Sequence, residues 1–466
     1  MLRFSRVLLP IFIFCFFATL SSAQVAVKLS LKANTSKQAF FCSIYGQKIN
    51  VLAAKKFTDD EVEFKFASSL PKGIYRIYIS DSSFSDIIID RDKEIILNSN
   101  VASLNDSMKV VKGEDNRIYY TYLKYKNSEL YKLNKIISIV KPANLKKQNP
   151  LIDDRVNFIK GVETYKIQRF ADSIIYKDST LFVSKVIRAL LIPNLNLWQI
   201  EHPEEKKYDN DVEFLLNHFF DNIDFSDSAF LRTEFFYRTI SYYIEKLALP
   251  RNVLGFNIAN QLILNRSKAN ENVYKYSLSL LFDIYENTQL EDVFVKLYDN
   301  YLSSQKDAVT DEKYISLTNK INIIKSLKVG TVAPDISGKD TLGKTIKLSS
   351  IKSTFTLIMF WTSATKNVDE TIMQFNDLYT KYKEYGFQIY AVCLDSSDVK
   401  WKAMLRKLNP QWINVIDTQG LEGPVSKLYN TWALPSLYML DSKMAIAAKP
   451  MNVDYVKKEF ETAFKK

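Results

Sequence analysis

The sequence predicts a multidomain α+β protein: an N-terminal antiparallel β-sandwich, a central all-helical region and a C-terminal α/β domain. Three observations carry this reading. Apolar and polar residues alternate from Val25 towards Val111, apolar residues recur at helical spacing through the middle, and strands alternate with helices after Val329. With 466 residues the chain exceeds the roughly 100–200 residues of a typical domain, so more than one core is expected.

The N-terminus sets the context. Met1 to Arg6 carries two arginines, Val7 to Leu20 is apolar, and Ser21-Ser22-Ala23 offers a small-residue cleavage site, so residues 1–23 read as a secretory signal peptide. The apolar run is shorter than the ~20 residues that cross a bilayer, and Pro10 interrupts it, so no integral membrane span is expected after cleavage. Cys15 follows Phe14 rather than the small residue that lipid attachment requires, and leaves with the leader. An exported, periplasmic or cell-envelope location follows.

The first domain, 24–111, begins with Val25, Val27, Leu29 and Leu31 on one face and Ala26, Lys28, Ser30 and Lys32 on the other, the period of a half-buried strand. Similar runs follow at Val62–Phe66, at Ile74–Ile79 after the Pro71-Lys72-Gly73 turn, at Ile87–Ile89 and at Ile95–Leu97. Short strands separated by Ser, Asp, Asn and Gly suit a small sandwich. After Gly113 the period changes. Val156, Ile159, Phe170 and Ile174, and later Val273, Leu278, Leu281 and Ile284, fall on compatible helical turns, which makes 112–327 helical. Loops are expected at Lys141 to Pro150, Glu201 to Asp211 and Pro250 to Asn252, and the many Phe and Tyr residues of this region read as helix-packing core.

The third domain, 328–466, opens at Val329-Gly330-Thr331-Val332-Ala333-Pro334-Asp335. A short hairpin, strand Phe355–Trp361, helix Val368–Tyr385, strand Phe387–Leu394, helix Lys400–Leu408, strands at Trp412–Ile416, Leu437–Leu440 and Ala445–Lys449, and a helix from Val453 follow in order. This alternation ending in a hairpin and a helix predicts a mixed sheet covered by helices.

Composition narrows the function classes. The chain is 47% hydrophobic and 25% charged, with 11 glycines and 12 prolines, which argues against low-complexity segments. Its net charge is +11, and losing Arg3 and Arg6 with the leader leaves 61 basic against 52 acidic residues, or +9. These charges are interspersed with acids and aromatics, which favours a solvated envelope protein over a nucleic-acid binder and leaves anionic lipid or glycan as a partner class. After the leader only Cys42 and Cys393 remain, so no disulfide framework is expected. His202 and His218 are the only histidines and lack ligand partners at metal-binding spacing, so neither a metal nor a cofactor is assigned.

Val329 to Pro334, the strand ending Phe360-Trp361, the loop and helix after it, the segment Ala391-Val392-Cys393-Leu394-Asp395, and Trp432 to Asp441 together resemble the thioredoxin-like domain of exported AhpC/TSA-type thiol-disulfide oxidoreductases, with the upstream regions similar to those found in Bacteroidota. In that family, Phe-Trp-Ala-Ser-Trp-Cys-x-x-Cys sets one cysteine at a helix N-terminus, where the dipole favours the thiolate, and a second one turn later to resolve the mixed disulfide. Aligned on Phe360-Trp361, the resemblance puts Thr365 at the attacking position and Val368 at the resolving one. Valine has no nucleophile, and a threonine hydroxyl needs an adjacent base that no histidine in this domain supplies. Cys393 sits in the apolar run Ile389 to Leu394 and reads as buried and inert. In place of chemistry, Thr365 can cap the helix, or Asn367 can do so in a capping box with Glu370.

The resemblance also implies a cis bond before Pro435 and a backbone edge beside it that pairs with extended peptide. The candidate groove comprises Trp361, Thr365, Lys366, Leu434 and Pro435; the plainer reading is that Pro435 only shapes a turn. Three functions follow as expectations. The first is a redox-inactive envelope protein that binds or scaffolds a protein or peptide partner. The second is a thiol-disulfide oxidoreductase of unusual design, including a Cys42–Cys393 pair. The third is binding of a small apolar or glycan ligand by the upstream regions.

Overall fold

The computed structural model describes residues 25–140, 150–205 and 207–463, so the leader, Cys15 and most of the Lys141 to Pro150 loop lie outside it. The chain forms two compact units. One holds the chain up to Pro250 together with Leu262–Tyr276, and the other holds Arg251–Gln261 and everything from Ser277.

In the first unit eight strands form two four-stranded sheets: β1 (Val25–Lys32), β2 (Gln38–Tyr45), β3 (Lys48–Lys56), β4 (Glu61–Phe66), β5 (Gly73–Ser80), β6 (Ser83–Ile89), β7 (Glu94–Asn100) and β8 (Lys109–Lys112). Their orders are β4-β1-β7-β8 and β3-β2-β5-β6. Phe41 of β2 joins the two faces, its ring 5.3 Å from Phe64 and 4.8 Å from Phe66 of β4. The pairings are antiparallel except that of β1 with β7, which is parallel. The chain alternates between the sheets, leaving β1 for β2 and β3 and returning with β4, then again through β5 and β6 to β7, which arrives on the free side of β1. Strands β2 and β3 were not expected from the pattern. Strand β2 buries the consecutive residues Phe41 and Cys42, and β3, in which Leu52 bulges between Val51 and Ala53, is an edge strand with no buried residue, so neither shows a clean period of two. Their hairpin turns at Gly46, whose φ of +57° and closeness to the Tyr276 side chain both require the absence of a Cβ.

Helix α1 (Glu114–Val140) docks on the edge strand β6 through Asn116. Its side-chain amide donates to the Ile88 carbonyl at 2.8 Å and accepts from the Ile88 N–H at 2.9 Å, standing in for a missing neighbour strand. Helix α2 (Pro150–Ile175) returns against α1, Tyr125 stacking on Phe170 at 4.1 Å. Shorter helices follow: α3 (Phe182–Ala189), α4 (Leu195–Glu201), α5 (Asp211–His218), α6 (Glu234–Tyr242), α7 (Val253–Ser267) and α8 (Glu271–Tyr285), the last two contributing to both units. The histidines join an aromatic cluster here, His202 stacked on Trp198 at 4.7 Å and His218 on Phe214 at 4.6 Å. His218 does have a carboxylate neighbour, Nδ1 lying 2.6 Å from Asp221 Oδ2 one helical turn on, with the Tyr208 hydroxyl 2.8 Å from Nε2.

In the second unit, α9 (Glu291–Tyr301) and α10 (Asp311–Ser326) precede a seven-stranded mixed sheet. Its elements are β9 (Ser337–Lys339), β10 (Thr345–Lys347), β11 (Phe355–Trp361), α11 (Val368–Tyr382), β12 (Phe387–Cys393), α12 (Asp398–Leu408), β13 (Ile413–Ile416), α13 (Pro424–Leu428), β14 (Ser436–Leu440), β15 (Ile446–Ala448) and α14 (Val453–Ala463), in the order β10-β9-β13-β12-β11-β14-β15. Strands β11, β12 and β13 are parallel, β14 runs antiparallel to β11, and β15 antiparallel to β14. Central β11 is buried on both faces, so its sequence is a continuous apolar run rather than an alternation. Leu357, Met359 and Trp361 face a core shared with α11, α12 and α14, whereas Ile358 and Phe360 face a second core with Tyr429, Tyr438 and Leu348. Helix α9 is tied to this domain through Glu291, which accepts from Asn430 at 3.0 Å and pairs with Lys449 at 2.7 Å.

Candidate functional site

The site forms where β11 ends and α11 begins. The turn between them closes on two threonines: the Thr365 N–H donates to the Thr362 carbonyl at 3.0 Å, the Thr362 N–H donates to Thr365 Oγ1 at 3.0 Å, and the two hydroxyls lie 2.9 Å apart. The Thr365 hydroxyl therefore faces back into the turn. Asn367 occupies the position before α11 in the left-handed region, φ +56°, and its side chain makes no capping bond. Neither expected cap forms: the Thr365 hydroxyl is engaged by Thr362, and asparagine tolerates the left-handed conformation without a bond from its side chain to the helix N–H groups. Asp369 and Glu370 remain in the first turn of α11, where carboxylates suit the helix dipole. Val368 is buried in the core beneath, beside Ile372 and Trp361.

A second wall comes from the segment before β14. The Leu434–Pro435 bond is cis, and Ser436, the next residue, begins the antiparallel pairing of β14 with Phe360 at the end of β11. This register brings the proline to the mouth of the Thr362–Thr365 turn. Between the walls lies an open cleft of about 440 Å³ lined by Thr362, Thr365, Lys366, Leu421, Glu422, Thr431, Trp432 and Leu434.

Of the residues expected in the groove, Thr365, Lys366 and Leu434 line this cleft, and Pro435 adjoins it. Trp361 does not. It is fully buried, because the pleat of β11 assigns it to the same face as Leu357 and Met359, towards α11. The cleft's indole belongs instead to Trp432, which is 42% exposed. Ala364, at the position of the second tryptophan in the family's motif, is exposed and offers only a methyl group. Trp432 was visible two residues before Leu434, but its place opposite the turn depends on strand register rather than on spacing.

Cys393 ends β12 beneath this loop and is fully buried. Burial drives its thiol far above the ordinary range, outweighing the Asp395 and Ser363 backbone N–H groups that favour a thiolate. Nearby, Asp395 Oδ1 accepts from the Ser363 N–H at 3.0 Å and anchors the loop to the sheet. Cys42 is likewise buried, in the first unit, and burial pushes its thiol up to about 11 against the opposing pull of the Arg76 cation. Both cysteines are free. Among the described residues no group of three or more His, Cys, Asp or Glu side chains is arranged to hold a metal ion, and no helix is long and apolar enough to cross a membrane.

Residues 329–449 match the model of the AhpC/TSA family. The thiol-disulfide oxidoreductase ResA of Bacillus thuringiensis subsp. konkukian is 27% identical over 142 residues, covering 30% of this chain and 80% of that protein. ResA of Geobacillus kaustophilus is 27% identical over 128 residues, 28% of this chain and 72% of that one. Among solved structures, a thioredoxin-like protein from Bacteroides caccae aligns with 55% of this chain and 93% of its own at 17% identity, with a TM-score of 0.43. The thioredoxin domain of a Bacteroides vulgatus thiol-disulfide oxidoreductase aligns with 30% of this chain and 99% of its own at 26% identity, with a TM-score of 0.28.

Proposed function

We propose that this chain, whose C-terminal domain is thioredoxin-like and similar to thiol-disulfide oxidoreductases, is an exported envelope protein that binds an extended segment of a partner protein without exchanging disulfides. The observation that carries the reading is the pair Thr365 and Val368 at the two positions where the family's chemistry needs thiols. One hydroxyl is engaged in its own turn and the other side chain is hydrocarbon. The only cysteine of the domain is buried with its thiolate disfavoured, and a buried thiol neither reaches nor attacks a protein disulfide.

Binding is supported by the retained cleft. Trp432 and Leu434 offer apolar surface, Lys366 and Glu422 offer charge of either sign, and the chain before cis-Pro435 is an edge at which an extended peptide can pair. Export rests on the leader-like residues 1–23. We divide the mature chain at 24–111, 112–327 and 328–466, with the upstream parts as the scaffold that carries the binding domain.

The test has two arms. In insulin-disulfide reduction, the mature chain should match its Cys393→Ser variant, and turnover above that variant would sink the redox-inactive reading. In a screen of extended peptides, Trp432→Ala and Lys366→Glu should weaken capture, and unchanged capture would remove the cleft as the binding site. The alternative, a thiol-disulfide oxidoreductase like its ResA relatives, needs Cys393 as the reactive thiol and predicts turnover that Cys393→Ser abolishes.

A further inference from the structure

Two opposite charges line the cleft at Thr365 and Trp432 without meeting each other: Lys366, from the turn before α11, and Glu422, from the turn before α13. Among the described residues the Lys366 ammonium makes no ion pair and no hydrogen bond. The carboxylates that follow it in the first turn of α11 do not neutralise it, since Asp369 is held by Lys407 at 2.6 Å and Glu370 makes no bond with it. Glu422 has only Lys427, at 3.7 Å, and with these side chains 92% and 63% exposed the pair is weak. Trp432 and Leu421, both exposed, and Leu434 add apolar surface to the same cavity of about 440 Å³.

The remaining lining groups are threonines whose hydroxyls are already bonded inside the protein, Thr362 with Thr365 at 2.9 Å and Thr431 with the Ser426 hydroxyl at 2.5 Å. A sugar, held by many polar groups at once, finds few uncommitted ones here. An extended peptide fits what is offered. Its alternate side chains project to one face, roughly 6.6 Å apart, so one strand presents an acid, an apolar group and a base at successive inward positions while its backbone pairs at the edge before Pro435. A segment whose inward charges share one sign sets a like charge against either Lys366 or Glu422, which disfavours it.

We infer that the cleft selects segments that turn an acidic side chain to Lys366, an apolar one to Trp432 and a basic one to Glu422, so that the order of charges sets the direction in which the partner segment lies. This rests on the reading of the cleft as a peptide site and adds the sequence class and polarity of the peptide. Blocked, dye-labelled seven-residue peptides test it by fluorescence polarisation on the mature full-length chain. One carries glutamate, leucine and lysine at its second, fourth and sixth positions and alanine elsewhere, another carries the same residues in reverse order, and two more carry glutamate or lysine at both charged positions. Each exposed charge contact contributes a factor of about two to five in affinity, so one order is expected to exceed its reverse by about tenfold, with both single-sign peptides between them. That preference shrinks as salt rises. In the Lys366→Glu, Glu422→Lys double variant the preferred order inverts, because the two charges change places; both side chains are exposed, so its circular dichroism matches that of the unmodified chain. Trp432→Ala weakens all four peptides alike. Equal affinity for the two orders, or a preference that survives unchanged in the double variant, overturns the inference while Trp432-dependent binding keeps the peptide cleft. No binding of any peptide, or binding indifferent to Trp432→Ala, overturns both.

Discussion

Replacing Thr365 and Val368 with cysteine asks whether only two side chains separate this domain from disulfide chemistry. Val368 is buried at the start of α11, and cysteine is close to valine in volume, so that change costs less than about 1.5 kcal/mol. The Thr365 hydroxyl gives up its bonds with the Thr362 N–H at 3.0 Å and the Thr362 hydroxyl at 2.9 Å. At about 1 kcal/mol each, these bring the total to roughly 3 kcal/mol, within the 5–15 kcal/mol of a typical domain, so the variant folds. A thiol at position 365 then lies just before the N-terminus of α11. Lowering a thiol pKa from about 8.5 to about 7 by such a placement raises its thiolate fraction at neutral pH from roughly 3% to one half. The assay is insulin reduction with dithiothreitol as electron donor, alongside a thermal melt. The double variant should reduce insulin well above the unmodified chain and above either single variant. A folded double variant no faster than the unmodified chain would refute the reasoning, because the left-handed Asn367 turn would then be shown to hold the two thiols out of reach of each other.

The remaining predictions concern burial and charge. Trp361→Ala should destabilise the protein by about 3–5 kcal/mol through the cavity it leaves, whereas Trp432→Ala, at a side chain 42% exposed, should cost clearly less; denaturant melts of the two variants check the placement of each indole. Cys42 and Cys393 should both resist alkylation at neutral pH and react only as denaturant exposes them, and labelling of the native chain would contradict their burial. Burial opposes ionisation of Asp224 and Asp227, but Lys185 for the first and Lys72 with Lys185 for the second, aided by backbone N–H groups, hold both carboxyls below their ordinary range. Because the folded values lie below the unfolded value of about 3.9, this stabilisation is complete above that pH and drains as pH falls through the folded values. Urea midpoints followed from neutral pH into this acid window should therefore drop less in Lys72→Met than in the unmodified chain, and parallel drops would refute the pairing.

Much of the architecture could be read from residue order because hydrophobic period reports the burial of whole faces. The run from Phe355 to Trp361 predicts a strand, and Val25 to Lys32 a half-buried one; both are present. The same logic explains the omissions. Strand β3 buries nothing and is bulged at Leu52, β2 buries the consecutive Phe41 and Cys42, and the short helix α13 has only five residues, so none imposes a period long enough to detect. In the site, the absence of cysteine at positions 365 and 368 is a matter of covalent composition, and no fold can restore it. The direction of Trp361 and the confronting position of Trp432 were not accessible in that way, since both follow from strand register.

Covalent composition alone sets which chemical groups this chain possesses: three cysteines and two histidines, a threonine at position 365 and a valine at position 368, and a net charge of +11. Tertiary structure decided which of those groups meet solvent and which meet each other. Pairing of β11 with β14 sets the cis-Pro435 segment against the Thr362–Thr365 turn, the pleat buries Trp361, and the packing of α1 on α2 buries Glu129 and Glu163 while leaving Phe158 and Tyr165 outside. Local spacing fixes only the face a side chain occupies. Whether that face is covered depends on long-range contacts, whose partners lie far away along the chain.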